Sequence, residues 1–121
     1  MNNDQVIKML SVRAADARGI ILPFVISHAV ILVVLGFGGS GLEDSGVQLA
    51  LAAMSVLGSL WSVMWLDDCM QDLMAGGKDM GEDFQSTNMG KRLVNAPFGI
   101  VRLVNVVVVG LIVAAELIAI Y

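Results

Sequence analysis

Residues 47–66 read VQLALAAMSVLGSLWSVMWL and carry no charge. A helix needs about 20 predominantly apolar residues to cross a bilayer, and this stretch supplies them without interruption. Taken at alternating steps of four and three, Gln48, Ala52, Ser55, Ser59, Ser62 and Leu66 fall on one face, while Leu, Met, Val and Trp fill the rest. Lipid makes no demand for such a seam. Packing against other helices does, because small side chains let backbones approach and hydroxyls hydrogen-bond across the contact. The stretch is therefore expected to be the central span of a helical bundle.

The rest of the composition agrees. Hydrophobic residues make up 57% of the 121 and charged residues 15%, where soluble domains carry about a quarter charged. The mean hydropathy is +0.81. With three long apolar runs, this places the chain among integral membrane proteins. The net charge of −4 carries little weight by itself, and nothing points to direct reading of nucleic acid. A single cysteine excludes an internal disulfide. Three short spans bury little between them, so the core is expected to be completed by copies of the chain or by other membrane subunits.

Outward from the central span, residues 1–19 form an amphipathic helix. Val6, Ile7, Leu10, Ala14 and Ala17 share a stripe, with Lys8, Ser11, Asp16 and Arg18 around the other side. Such a helix either lies along the membrane surface or packs on its own protein, and both readings stay open. Residues 20–37 are the first span, with Pro23 in its opening turn, where a missing N–H is tolerated. Residues 38–46, GGSGLEDSG, are a flexible external loop with no basic residue. Residues 67–95 are a polar loop in which Gly76-Gly77, Gly81 and Gly90 act as breakers, and residues 67–74 extend the second helix. Asn95 ahead of Pro97 is a helix-start signal, opening a third span over residues 96–121. The fold class expected is all-α: three transmembrane helices, an amphipathic N-terminal helix and a partly helical cytoplasmic loop. A basic start, an apolar run and small residues near 36–41 imitate a secretory signal. The apolar run exceeds the usual h-region, so the first span is expected to be retained.

Orientation follows from the seven lysines and arginines. Lys8, Arg13 and Arg18 precede the first span, Lys78, Lys91 and Arg92 lie between the second and third, and Arg102 is near the start of the third. Three spans put all of them on one side. By the positive-inside rule, the N-terminus and long loop are cytoplasmic and the C-terminus external, with a bacterial inner membrane as the expected location.

Ionisable and strongly polar groups inside spans are functional candidates because burying them is costly. Here they are His28, Asn105, Glu116 and Arg102. Counted at about 1.5 Å per residue from the ends of their spans, His28 and Asn105 reach the same depth, so the expectation is a hydrogen bond that fixes helix register. Glu116 is expected near the opposite interface, hydrated or facing another subunit. Arg102 is shallow enough to snorkel to headgroups. With Arg18, Lys91 and Arg92 it forms the expected lipid-headgroup contact, and a bound phospholipid would fit there. Gly110 and Ala114 form a second small-residue packing surface.

Asp67, Asp68, Asp72, Asp79, Glu82 and Asp83 crowd the long loop, but their spacing does not match an EF-hand; a solvated acidic face is expected. Eight methionines with Cys69 beside Met70 suggest soft metal, yet Met is also the adaptable filler of apolar packing. Acidic neighbours disfavour a Cys69 thiolate. No phosphate-binding, zinc-protease or nucleophile-elbow motif occurs. No catalytic residue, cofactor or metal is expected, and the chain is not expected to be an enzyme.

An apolar helix, a cytoplasmic loop with basic residues and a further apolar helix resemble the conjugative pilins of type IV secretion systems, and residues 71–77, QDLMAGG, are similar to a stretch in some of them. The resemblance covers topology from Val47 to Tyr121. It implies a mature helical hairpin that leaves the membrane to form an extracellular filament. The chain departs from that pattern in having QDLMAGG after an apolar span, in a longer loop and in a leader span that is expected to be retained.

The function expected is a non-enzymatic structural subunit of a larger membrane-derived assembly, self-associating or docked in a secretion or conjugation complex. An accessory subunit of a respiratory or other energy-transducing complex is the second reading, and a phage holin the third. The orientation is directly testable. Reporter fusions after Ser40 and after Tyr121 should behave as external and fusions within residues 76–90 as cytoplasmic; an external signal from 76–90 would reverse the topology.

Overall fold

The computed structural model describes residues 2–121, which are helical almost throughout. Helix α1 (Asn3–Phe37) opens on a capping box: the Asn2 side chain accepts from the Gln5 N–H, and the Gln5 side chain accepts from the Asn2 N–H. The helix then continues through the expected boundary near residue 19, so the amphipathic segment and the first apolar segment are one rod. Pro23 consequently lies well inside a helix and not in its opening turn. A 3₁₀ turn (Gly39–Glu43) reverses the chain, with Gly39 at φ 55°, the left-handed region that glycine enters freely. Helix α2 (Ser45–Asp79) starts where Asp44 Oδ1 accepts from the N–H groups of Gly46 and Val47.

Both α1 and α2 have 35 residues, about 52 Å at the helical rise, while a hydrocarbon core is about 30 Å thick. The antiparallel hairpin they form therefore has an apolar half near the 3₁₀ turn and a polar half that runs on for roughly 20 Å more. Two short helices, α3 (Glu82–Gln85) and α4 (Asn88–Val94), fold back near that polar half. The last helix, α5 (Phe98–Ile120), packs along the apolar half of α2, which lies against both α1 and α5. Asn95 does not start α5. It caps the C-terminus of α4, and α5 begins at Phe98 after an N-cap, Pro97, that makes no side-chain bond.

The glycines expected to break the chain at 76–77 do not. They sit inside α2 as contact positions. A Cβ on Gly76 would stand 2.5 Å from Leu10 Cδ2, and one on Gly77 3.0 Å from Leu93 Cγ, so their absence of a side chain lets α1 and α4 approach α2. The QDLMAGG stretch is thus a helix-packing segment of the polar half.

The two halves are built for different solvents. In the polar half the buried residues are Val6, Cys69, Met80 and two glycines, Gly77 and Gly90, all apolar or without a side chain, as in a water-soluble protein. In the apolar half the buried residues include His28, Ser55, Ser59 and Glu116 beside Ile31 and Ile120, while Leu22, Leu32, Leu57, Leu103, Leu111 and Ile118 are each more than half exposed. Apolar surface on this scale is not tolerated in water. Three helices are long and apolar enough to cross a membrane, and polar-inside, apolar-outside packing fits an integral membrane protein.

Gly76→Leu should lower stability by about 1–3 kcal/mol through overpacking against Leu10. Gly58→Leu, where nothing stands within 4 Å of the added Cβ, should cost nothing. Thermal unfolding in detergent compares them; equal effects would disprove the close approach.

Candidate functional site in the apolar bundle

Three helices contribute to one buried polar cluster. On α2, Ser55 and Ser59 are one turn apart and so share a face, the same seam that the sequence shows. Ser55 is fully buried and Ser59 2% exposed. Helix α5 brings Glu116, 3% exposed, and α1 brings His28, 8% exposed. His28 Nδ1 lies 2.5 Å from Glu116 Oε1, the Ser55 hydroxyl donates to Glu116 Oε2 at 2.5 Å, and Ser59 Oγ lies 3.0 Å from His28 Nε2. The Phe24 ring is tilted against the imidazole with centroids 4.3 Å apart. Both ring nitrogens and both carboxylate oxygens are therefore used within the cluster.

What such an arrangement can do chemically is hold a proton and hold three helices in register. Removing one partner from a buried ion pair costs about 3–5 kcal/mol in soluble proteins, because the other charge stays behind unpaired. An interhelical hydrogen bond alone contributes about 0.6 kcal/mol in membrane proteins. A buried carboxylate left without its imidazole, more than a lost serine hydroxyl, therefore carries the larger cost in the cluster.

The expected partnership of His28 with Asn105 is corrected by this geometry. Asn105 borders a small cleft with Ile20, Ile21, Phe24, Ser62 and Leu66; Ile21 is two turns, about 10 Å, from His28 along α1. Glu116, expected near an interface and hydrated or facing another subunit, is instead the partner of His28. The depth count fails because it takes residues 20 and 97 as one level, whereas Ile20 of α1 lies beside Val108 of α5. The level of α5 is fixed by Arg102, whose Nε and Nη2 donate to Asp67 Oδ1 and Oδ2 at 2.5 and 2.9 Å. This bidentate pair also means that Arg102 is engaged by a carboxylate and not free for headgroups. Arg18, Lys91 and Arg92 are exposed.

The other predicted packing positions divide. Gln48 Nε2 donates to the carbonyls of Leu42 and Ile120 at 3.0 and 3.3 Å, tying the ends of α2 and α5 together. Ala52 is half-buried, and Ser62 donates to the Gly58 carbonyl of its own helix. Gly110 and Ala114 are exposed on α5 and contribute nothing to packing within the chain.

The acidic segment is not simply solvated. Arg13, unremarked among the basic residues, bridges Asp16 at 3.0 Å, Asp68 at 2.7 Å and Asp72 at 2.6 Å, and lies 6.0 Å from the Trp65 ring. Its signal in sequence is the one-turn spacing of Asp68 and Asp72, which presents two carboxylates to one cation. Burial pushes the Cys69 thiol above its usual range, with nearby Asp16, Asp68 and Asp72 adding to the rise against Arg13, which argues further against a nucleophile. No protein-family model, curated protein or solved structure matches the chain.

Two outcomes follow from these contacts. In a double-mutant cycle, His28→Leu and Glu116→Leu should each destabilise, and together cost less than their sum, whereas His28→Leu with Asn105→Leu should be additive within about 0.5 kcal/mol. Coupling to Asn105 in place of Glu116 would refute the cluster. Separately, the Arg102 hydrogen bond holds the Asp67 carboxyl below its ordinary value, outweighing burial. Its folded-state value is lower than its unfolded one, so its stabilisation is present above the ordinary carboxylate range and lost as pH falls through the lowered value. Asp67→Asn should therefore lower the unfolding temperature at neutral pH and lose that effect in strong acid.

Proposed function

We propose that the chain is a non-enzymatic structural subunit of a larger membrane assembly, self-associating through the open face of α5. The observation that carries this reading is the position of Gly110 and Ala114: exposed, one turn apart, with open space beyond Gly110. In lipid, apolar surface alone does not drive helices together, whereas a small-residue pair lets a second backbone come close enough for dispersion contacts to accumulate. The buried seam of Ser55 and Ser59 on α2 is already occupied by α1 and α5, whereas the small-residue pair on α5 is open.

In this reading the chain sits in a bacterial inner membrane with the polar half and Lys8, Arg13, Arg18, Lys78, Lys91 and Arg92 in the cytoplasm. Trp65, against Arg13, marks the headgroup level there, and Arg18, Lys91 and Arg92 face lipid phosphates. Tyr121 is external. A filament of the pilin kind is one form such an assembly takes. The second reading, an accessory subunit of an energy-transducing complex, is favoured by one separate observation, the ionisable pair His28–Glu116 inside the span.

The mass of the protein in a mild detergent tests the first reading. Wild type should run as an oligomer, and Gly110→Ile should shift it to monomer with helicity unchanged. A wild-type monomer would refute self-association, and co-purification with a redox enzyme would favour the second reading.

A further inference from the structure

We infer that His28, Glu116, Ser55 and Ser59 form a reversible binding site for one proton, fully hydrogen-bonded in both of its charge states. In the first state His28 is neutral. Its Nδ1–H donates to the Glu116 carboxylate, Ser55 donates to the other carboxylate oxygen, and the Ser59 hydroxyl donates to Nε2, all at the distances given above. The cluster then carries one negative charge. In the second state a proton is added at Nε2, the cluster is neutral overall, and Nε2–H donates to Ser59 Oγ.

The change requires only that the Ser59 hydroxyl turn from donor to acceptor, which a serine does without moving its oxygen. Its own proton then needs an acceptor, and the carbonyl one turn back on α2, that of Ser55, is the standard one. The same chain uses this contact twice: Ser27 donates to the Pro23 carbonyl and Ser62 to the Gly58 carbonyl, each at 2.8 Å. A hydroxyl, unlike an amide N–H or a carbonyl, can serve Nε2 in both charge states because it both donates and accepts.

The groups facing the site from each packed helix are few. Helix α1 supplies His28 and the Phe24 ring, α2 supplies the two serines, and α5 supplies Glu116. The nearest other charges, Asp67 and Arg102, are paired with each other two turns beyond Ser59 along α2, about 12 Å. The proton is thus shared between one imidazole and one carboxylate, and its uptake is set within the cluster.

The chain has one histidine, so labelling all histidine with ¹⁵N reports on His28 alone. The protein in lipid bilayers is titrated through and beyond the interval of about pH 5–8 in which an imidazole ordinarily responds, with circular dichroism recorded in parallel. The ring nitrogens should show one reversible transition while helicity stays constant. Ser59→Ala, which takes away the partner of Nε2 in both states, should displace the midpoint from that of the wild type. Glu116→Gln should move it further; if that variant does not fold, Ser59→Ala carries the test. Ring signals that stay constant wherever the protein is folded, a transition that coincides with loss of helix, or a midpoint untouched by Ser59→Ala would each overturn the proposal.

Discussion

A carboxylate within an apolar bundle has no water to bond to, and every part of the upper fold answers to that constraint. Glu116 must be met by donors from the protein, and the donors come from two other helices: the Ser55 hydroxyl on α2 and the imidazole on α1. Meeting it fixes the rotation of all three helices and their relative height. Unlike an apolar contact, which slides at little cost, the cluster fails in every register but one. In a bundle with apolar surface on the outside and polar groups within, this directional contact is what makes the packing unique.

The polar half solves the same problem by different means. Beyond the apolar segment water is available, so burial again stabilises: Val6, Cys69 and Met80 are enclosed and α1 closes on α2 through the gap above Gly76. The two Arg–Asp networks stand between the regimes. Arg13 meets Asp68 and Asp72, and Arg102 meets Asp67, so consecutive turns of α2 bind first α5 and then α1. These pairs set the level at which the apolar segments begin, and the buried cluster above sets their rotation.

The extent to which this could be read from sequence follows from the range of the interactions. The three apolar helices were legible because hydropathy is a local property, and so was the α2 seam, whose Ser55 and Ser59 became the inner face. Helix ends were not. Gly76-Gly77 reads as a break by composition, but Leu10, distant in sequence, turns it into a contact, and Pro23 reads as a start because nothing local shows that α1 is already running. The misplaced ends then propagated: counting depth from them aligned His28 with Asn105 and left Glu116 alone. The useful signal was chemical. Two ionisable groups deep in apolar segments have a stronger claim on each other than either has on an amide, and Asp67 beside Arg102 would have set the offset between α2 and α5.

The same contacts decide what is left for a partner. Gln48 is committed to Leu42 and Ile120, Ser55 to Glu116 and Ser59 to His28, while Ser62 turns back to its own helix. The hydroxyl and amide groups of α2 from Gln48 to Ser62 are thus all used within the chain. In lipid, helices come closest where side chains are small enough for backbones to approach. On α5, Arg102, Asn105 and Glu116 turn inward or sit half-buried, and Gly110 and Ala114 fall on the exposed side. The polarity of α2 builds the bundle, and Gly110 and Ala114 leave α5 a small-residue outer face.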